Sequence, residues 1–127
     1  MFNLIYRDGT RENAGRYETL EKKAASTAFE CGQAVELSEG KAVATTGKAY
    51  GIVAADSPAG EGAVVVLKVE NDMVFSVPTT VVTGLVKGAK FAITADKLGA
   101  ASESGAATIV DVCGATNVGD RVEVRFE

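Results

Sequence analysis

Histidine and tryptophan are absent from this 127-residue sequence, and proline occurs only at Pro58 and Pro78. Without histidine, Ser-His-Asp and Cys-His catalysis are excluded, and the commonest general base and metal ligand is missing. The phosphate-binding glycine motifs, GxxxxGK(S/T) and GxGxxG, do not occur at a strand-to-helix junction. We therefore expect a protein that is not an enzyme and that has no catalytic, metal or cofactor site.

Basic residues are also few. The chain has 13 lysines and arginines against 17 aspartates and glutamates, which gives a net charge of −4. A nucleic-acid groove or an anionic membrane surface would need a clustered excess of basic residues. No apolar run reaches membrane-spanning length, and the N-terminal sequence MFNLIYRDGTREN lacks the pattern of a signal peptide. We expect neither nucleic acid nor a membrane as a partner.

The two cysteines, Cys31 and Cys113, lie far apart and have no CxxC or histidine companion. This spacing favours neither a zinc site nor a disulfide framework. We expect both thiols to be reduced, in a protein that is made in the cytoplasm.

Short apolar runs separated by glycine-rich turns make up the rest of the chain, and no helical period stands out. Strands are predicted at 34–37, 49–55, 63–69, 73–77, 89–94, 107–113 and 120–126. This pattern predicts an all-β fold, a small antiparallel barrel or sandwich.

Residues 1–30 differ from the remainder because they are densely charged, with equal numbers of acidic and basic residues. We expect them to form an N-terminal arm that precedes a β-domain of residues 31–127. The arm is either a partly ordered terminus or a segment that becomes ordered on a partner. Its candidate contact residues are the sparse apolar ones, Phe2, Leu4, Tyr6, Tyr17 and Leu20.

The β-domain contains an internal repeat. Residues 57 positions apart match, as in Gly62 with Gly119, and an offset of one less matches Gly32 with Gly88. We therefore expect two copies of one β-unit, at 32–69 and 88–126.

The outward-facing residues of the last strand differ between the two copies. In the second copy apolar and charged residues alternate, which predicts a strand with one face in the core. The repeat then points Val65 to the core and places Val64 and Val66 outward, where the second copy has Arg121 and Glu123. Either another part of the chain or a second subunit must cover this pair. Val64 and Val66 are therefore candidate subunit-interface residues.

Four segments carry a resemblance to a known family: GQAVEL, GKAYGIVAADSPAGEGAVVVLKVENDMVFSVPTT, VKGAKFAIT and TIVDVCGATNVGDRVEVRFE. In this order they resemble the small capsid decoration, or cement, proteins of tailed bacteriophages. That family has a short strand, an acidic turn and an alternating valine strand, followed by a second unit of the same kind that ends the chain. The resemblance covers residues 32–127, and residues 1–31 have no counterpart in it.

The resemblance implies a β-barrel or β-tulip-like domain without enzymatic activity. It implies a virion protein on the capsid exterior, assembled in the host cytoplasm, that binds the major capsid protein as a homotrimer and stabilises the head. The alternative is a free-standing β-barrel binding module for nucleic acid or a small ligand. Such a nucleic-acid binder needs surface aromatic residues among basic ones, and the one candidate, Tyr50, has Asp56 and Glu61 nearby.

Overall fold

The computed structural model describes residues 2–7, 16–45, 47–80, 82–93, 99–102 and 105–126. All regular secondary structure within these ranges is β-strand, so the expected all-β class is confirmed. The strands are β1 Asn3–Arg7, β2 Tyr17–Glu21, β3 Ala34–Ser38, β4 Lys41–Ala44, β5 Gly51–Val53, β6 Ala63–Lys68, β7 Met73–Pro78, β8 Lys90–Ile93, β9 Gly99–Ala101, β10 Ala107–Asp111 and β11 Arg121–Phe126. None of the described residues forms a helix long and apolar enough to cross a membrane.

The strands form two sheets in which the named neighbours pair antiparallel. The first sheet has the order β2-β6-β5-β3-β4, and the second has the order β1-β7-β11-β10-β8-β9. If β1 is set aside, the second order repeats the first, with β7 in the place of β2 and β11 in the place of β6. We call residues 17–68 the first unit and residues 73–126 the second unit. The repeat is thus a repeat of topology, and it begins one strand earlier than the sequence predicts.

Hydrogen bonds at matched positions repeat as well. The N–H of Gly32 donates to the carbonyl oxygen of Val53, and the N–H of Gly88 donates to that of Ile109, both at 2.8 Å. Gly32 has φ 88° and Gly88 has φ 89°. Because side chains disfavour this conformation, glycine is the residue that fits both turns.

The two units match with a different offset in their last strands. Val53 opposes Val66 in the first unit, and Ile109 opposes Val124 in the second. The chain from Ile109 to Val124 is therefore two residues longer than that from Val53 to Val66, and it contains a β-bulge. Val66 thus matches Val124, which is 58 residues away rather than 57.

This offset reverses the predicted orientation of β6, because a one-residue slip turns every side chain of a strand to the other face. Val64 and Val66 are 2% and 0% exposed, whereas Val65 is 39% exposed. The prediction that Val65 faces the core and that Val64 and Val66 face outward is wrong. Val64 and Val66 pack inside their own chain with Phe29 and Val53, so they cannot contact another subunit.

Buried apolar side chains form two cores. The first core lies on one face of the first sheet: Phe29, Val35, Ala42, Val53, Val64 and Val66. The second core contains the interior residues of the second sheet together with four residues of the first unit: Ala34, Ala49, Ile52 and Leu67. The first sheet thus buries one face in its own core and part of the other face against the second unit.

The expected arm of residues 1–30 is not a separate element. β1 pairs with β7, and β2 pairs with β6 along its whole length. The buried ring of Phe2 lies with its centroid 5.2 Å from that of Phe126 and 6.2 Å from that of Phe75. The boundary at residue 30 is therefore wrong. β2 is difficult to predict from the sequence, because its residues are mostly polar and only alternate side chains are partly buried.

Candidate interaction surface

Each unit gathers two connections at one end of its sheet. β7 and β11 are antiparallel and Pro78 opposes Arg121, so the connection after β7 and the connection before β11 meet. We call this the second loop end, and it consists of residues 79–80, 82–89 and 112–120. In the first unit Glu21 opposes Ala63 in the same way. The first loop end consists of residues 22–33 and 54–62.

Three valines are exposed at the second loop end. Val82 is 39% exposed, Val86 is 61% exposed and Val118 is 67% exposed. Turns favour glycine, proline, asparagine, aspartate and serine, so exposed valines at these positions have no local structural purpose. Exposed apolar groups gathered in one region are typical of surfaces that bind a partner.

The turn that carries Val118 is held in place by hydrogen bonds. The carboxylate of Asp120 accepts the N–H groups of Thr116 and Asn117, each at 3.0 Å. These two bonds stabilise the ionised carboxylate and lower the pKa of Asp120. The N–H of Gly119 donates to the carbonyl oxygen of Thr79 at 2.8 Å. Val118 is therefore presented on a fixed turn.

The valine at position 86 lies between two anchors. Its neighbour Leu85 is partly buried against the second core, and so are Ala89, Val112 and Ala115 of the same loop end. The second loop end thus combines residues that pack against the second core with exposed valines.

The first loop end has a different surface. Its exposed ionisable side chains are Lys23, Glu30, Asp56 and Glu61, and none of its residues, all of which are described, is an exposed large hydrophobic residue. The carboxylate of Asp56 accepts the N–H of Cys31 at 2.7 Å. The first loop end therefore has an acidic surface and the second loop end an apolar one.

The five residues that the sequence proposes as capsid contacts do not form one surface. Phe2 is buried in the second core, and Leu20 packs half-buried against the first core. The assignment of Phe2 is wrong, because its side chain is buried in the domain itself. Leu20 is only partly buried and stays a candidate contact. Leu4 and Tyr6 lie in β1, and their side chains fall outside the described part of the chain. Tyr17 is 64% exposed and remains a candidate contact.

The exposed valines were not predicted from the sequence; Val86 lies in the segment VKG and Val118 in the segment TNVG, which are typical of glycine-containing turns. The available signal was that each of these turns contains a valine, Val86 or Val118, beside a lysine or glycine. A β-branched apolar residue in a turn is unusual. Its exposure follows only from the fold, because a neighbouring loop can also cover such a side chain.

Tyr50, the candidate platform for a nucleic-acid base, is engaged within the chain. Its hydroxyl donates to the carboxylate of Glu18 at 2.6 Å, and Lys68 Nζ lies 5.9 Å from its ring centroid. The hydrogen bond to Glu18, together with desolvation and the charge of Glu18, raises the pKa of Tyr50. A carboxylate bound to the hydroxyl would repel a phosphate, so this cluster does not favour the nucleic-acid alternative.

One acidic group includes a thiol. Oxygen atoms of Asp111 and Glu123 and the sulfur of Cys113 all lie within 4.8 Å of one another. Desolvation, followed by the charges of Glu123 and Asp111, raises the pKa of Cys113 to about 11. Asp111 and Cys113 are exposed and Glu123 is half-buried, and exposed acidic groups of this kind are common without a metal ion. The geometry alone therefore does not make a metal site.

No protein-family model matches the chain, and a search of curated proteins finds no match.

Proposed function

We propose that the protein is a structural component of a phage virion that binds the outer surface of the capsid and stabilises the head. The observation that carries this proposal is the exposure of Val82, Val86 and Val118 at the second loop end. The order of strands and turns that resembles the decoration proteins supports it. In this proposal the second loop end contacts the shell and the acidic first loop end does not.

Weak contacts suit this task. Burying the remaining exposed surface of three valines contributes about 3 kcal/mol before the cost of ordering the interface. A decoration protein binds many equivalent sites, and linked copies are retained by avidity rather than by the affinity of one contact. A small apolar surface on each copy is therefore sufficient.

The proposal extends to further properties that the resemblance implies. The partner is the major capsid protein, the location is the exterior of the virion, and the protein acts without catalysis. The β-domain closes in a barrel-like manner, and copies associate as homotrimers on the head. This association uses a surface other than Val64 and Val66, because both are buried in the first core.

The two cysteines allow a direct test of the orientation. Cys31 lies in the first loop end and Cys113 in the second, and both are exposed and free. On expanded heads built from the cognate capsid protein, we expect alkylation of Cys113 to slow by about tenfold or more while alkylation of Cys31 is unchanged. Because the raised pKa of Cys113 slows its reaction, each thiol is compared with its own rate in the free protein.

Two outcomes would contradict the proposal. If the protein does not sediment with expanded heads, it is not a decoration protein. If it sediments but Cys31 is the protected thiol, the capsid is bound by the first loop end and the assigned surface is wrong.

A further inference from the structure

Lys22 is a buried lysine at the end of β2. The residue is only 3% exposed. Its Nζ atom donates to the carbonyl oxygens of Thr27 at 2.9 Å, Pro58 at 3.0 Å and Ser57 at 3.3 Å. A lysine ammonium has three donors, so these three acceptors use all of them.

The surroundings of this ammonium are unusual for a buried charge. The aromatic ring of Phe29 lies with its centroid 5.7 Å from Nζ, at cation–π distance. Among the described residues, no carboxylate forms a salt bridge with Lys22. A buried charge without such compensation is costly. Here carbonyl dipoles and a ring face replace the usual carboxylate.

The three carbonyl oxygens belong to two connections that other bonds hold together. Thr27 lies between β2 and β3, whereas Ser57 and Pro58 lie between β5 and β6. The backbones of Phe29 and Ser57 exchange two hydrogen bonds, at 2.9 and 2.8 Å, and the N–H of Gly60 donates to Ala25 at 2.7 Å. These bonds do not involve Lys22, so the oxygen cluster has support that is independent of the ammonium.

We propose that the carbonyl oxygens of Thr27, Ser57 and Pro58 form a binding site for a monovalent cation, in which the ammonium of Lys22 is the cation that the chain itself supplies. Converging carbonyl oxygens replace the hydration shell of potassium in ion-selective sites. The matched residue of the second unit is Thr79, which forms the same kind of parallel bridge, Thr79 with Gly99 as Lys22 with Ala42. Its hydroxyl donates to the carbonyl oxygen of Gly99 at 3.3 Å. A cation at this position therefore occurs in the first unit and not at the matched position of the second unit.

The test uses the full chain with Lys22→Ala, which removes the ammonium and leaves the oxygens. We expect a lower melting temperature that methylammonium chloride raises by about 5 °C at ten times its dissociation constant. Tetramethylammonium chloride at the same concentration controls for ionic strength, because it has no N–H donor and is too large for the site. The wild-type protein should respond equally to both salts.

Lys22→Met is the matched control, because it fills the space without a charge and should not respond to methylammonium. Equal melting temperatures of Lys22→Ala in the two salts would overturn the proposal. A second measurement on the wild-type protein covers the case in which Lys22→Ala does not fold. Nitrogen-15 NMR should then show ammonium protons of Lys22 that exchange slowly at neutral pH, and rapid exchange like that of surface lysines would also overturn it.

Discussion

The two units share their topology and the register of their strands, but residues at matched positions differ in polarity and in what they contact. Glu18 opposes Val66 in the first unit, as Phe75 opposes Val124 in the second. Phe75 packs against the buried ring of Phe2, whereas Glu18 binds the hydroxyl of Tyr50. The backbone pattern therefore sets the fold, and a few side chains decide what each unit binds. The two rings that contact Phe2, those of Phe75 and Phe126, both lie in the second unit.

The outer faces of the two units differ for a related reason. Ile52 and Leu67 of the first unit are buried with the interior of the second unit. The matched residue of Ile52 is Thr108, which accepts a hydrogen bond from the exposed Lys90 at 3.1 Å. Ile52 and Leu67 are thus apolar because they contact the second unit. The polar character of the second copy is that of a surface.

The largest effect is expected from reversing the orientation of β6. Val66→Glu places a charge in the first core and should destabilise the protein by about 4 kcal/mol or more, or prevent folding. Val65→Glu, at the position matched to Glu123, should cost less than about 0.5 kcal/mol, because Val65 is exposed. Denaturant unfolding measures both, and similar losses for the two variants would contradict the corrected offset.

Phe2→Ala should cause the next largest loss, about 3 kcal/mol in the free energy of unfolding, because it removes a buried aromatic ring. Phe2→Leu, which keeps apolar volume, should cost about 1 kcal/mol. If Phe2→Ala is as stable as the wild-type protein, the N-terminal segment is an arm after all and its burial has no energetic role.

The contact between the units predicts a smaller asymmetry. Ile52→Ala should destabilise the protein by about 2–3 kcal/mol, because Ile52 is buried between the units. Thr108→Ala at the matched position should cost less than about 1 kcal/mol, because Thr108 is half-buried at the surface. Thermal or denaturant unfolding of the pair would refute the asymmetry if the two losses were equal.

The smallest effect concerns the Glu18–Tyr50 hydrogen bond. The pKa of Tyr50 is raised above its ordinary value of 10.0, chiefly by this bond. The stabilisation is therefore complete below pH 10 and is lost as the pH rises through the folded-state pKa. Glu18→Gln should lower the pKa of Tyr50 in a tyrosinate absorbance titration, with Tyr50→Phe identifying its signal. An unchanged pKa would contradict the assigned cause.

The sequence predicts the strands whose apolar residues are dense and misses those that rely on neighbours. β6 and β11 lie where valine runs predict them, whereas β2, with the sequence YETLE, is mostly polar and forms a strand because β6 offers it a partner. β9 consists of Gly99–Ala101, and a Cβ at Gly99 would overlap the ring of Phe91. Small residues there follow from packing that no local pattern reveals.

The residues of the candidate surface could not be predicted from the sequence for a similar reason. The repeat is visible in the sequence, but its offset changes between β5 and β6, and a period of two makes a one-residue error reverse every side chain. Val64 and Val66 were misassigned by this error. Val86 and Val118 share one end of the sheet only in the fold, because antiparallel strands bring their connections to the same end.

The two loop ends have matched positions at which residues can be exchanged to test capsid binding. The carbonyl oxygen of Val86 accepts the N–H of Ala89 at 3.0 Å, as Glu30 accepts that of Gln33 at 3.1 Å. Val86 therefore occupies the place of Glu30. Gly119, with φ 94°, follows Val118 in a turn like that in which Gly60, with φ 95°, follows Ala59. The residues of one loop end can thus be exchanged for those of the other without changing the backbone conformation.

The central claim, that the second loop end binds the capsid, is tested most directly by the affinity of the double variant Val86→Glu/Val118→Ala for expanded heads. We expect binding to weaken by about tenfold or more, which corresponds to about 1.4 kcal/mol per copy, with the free energy of unfolding unchanged. The reciprocal variant Glu30→Val/Ala59→Val should bind as the wild-type protein does. Undiminished binding by the first variant would contradict the claim.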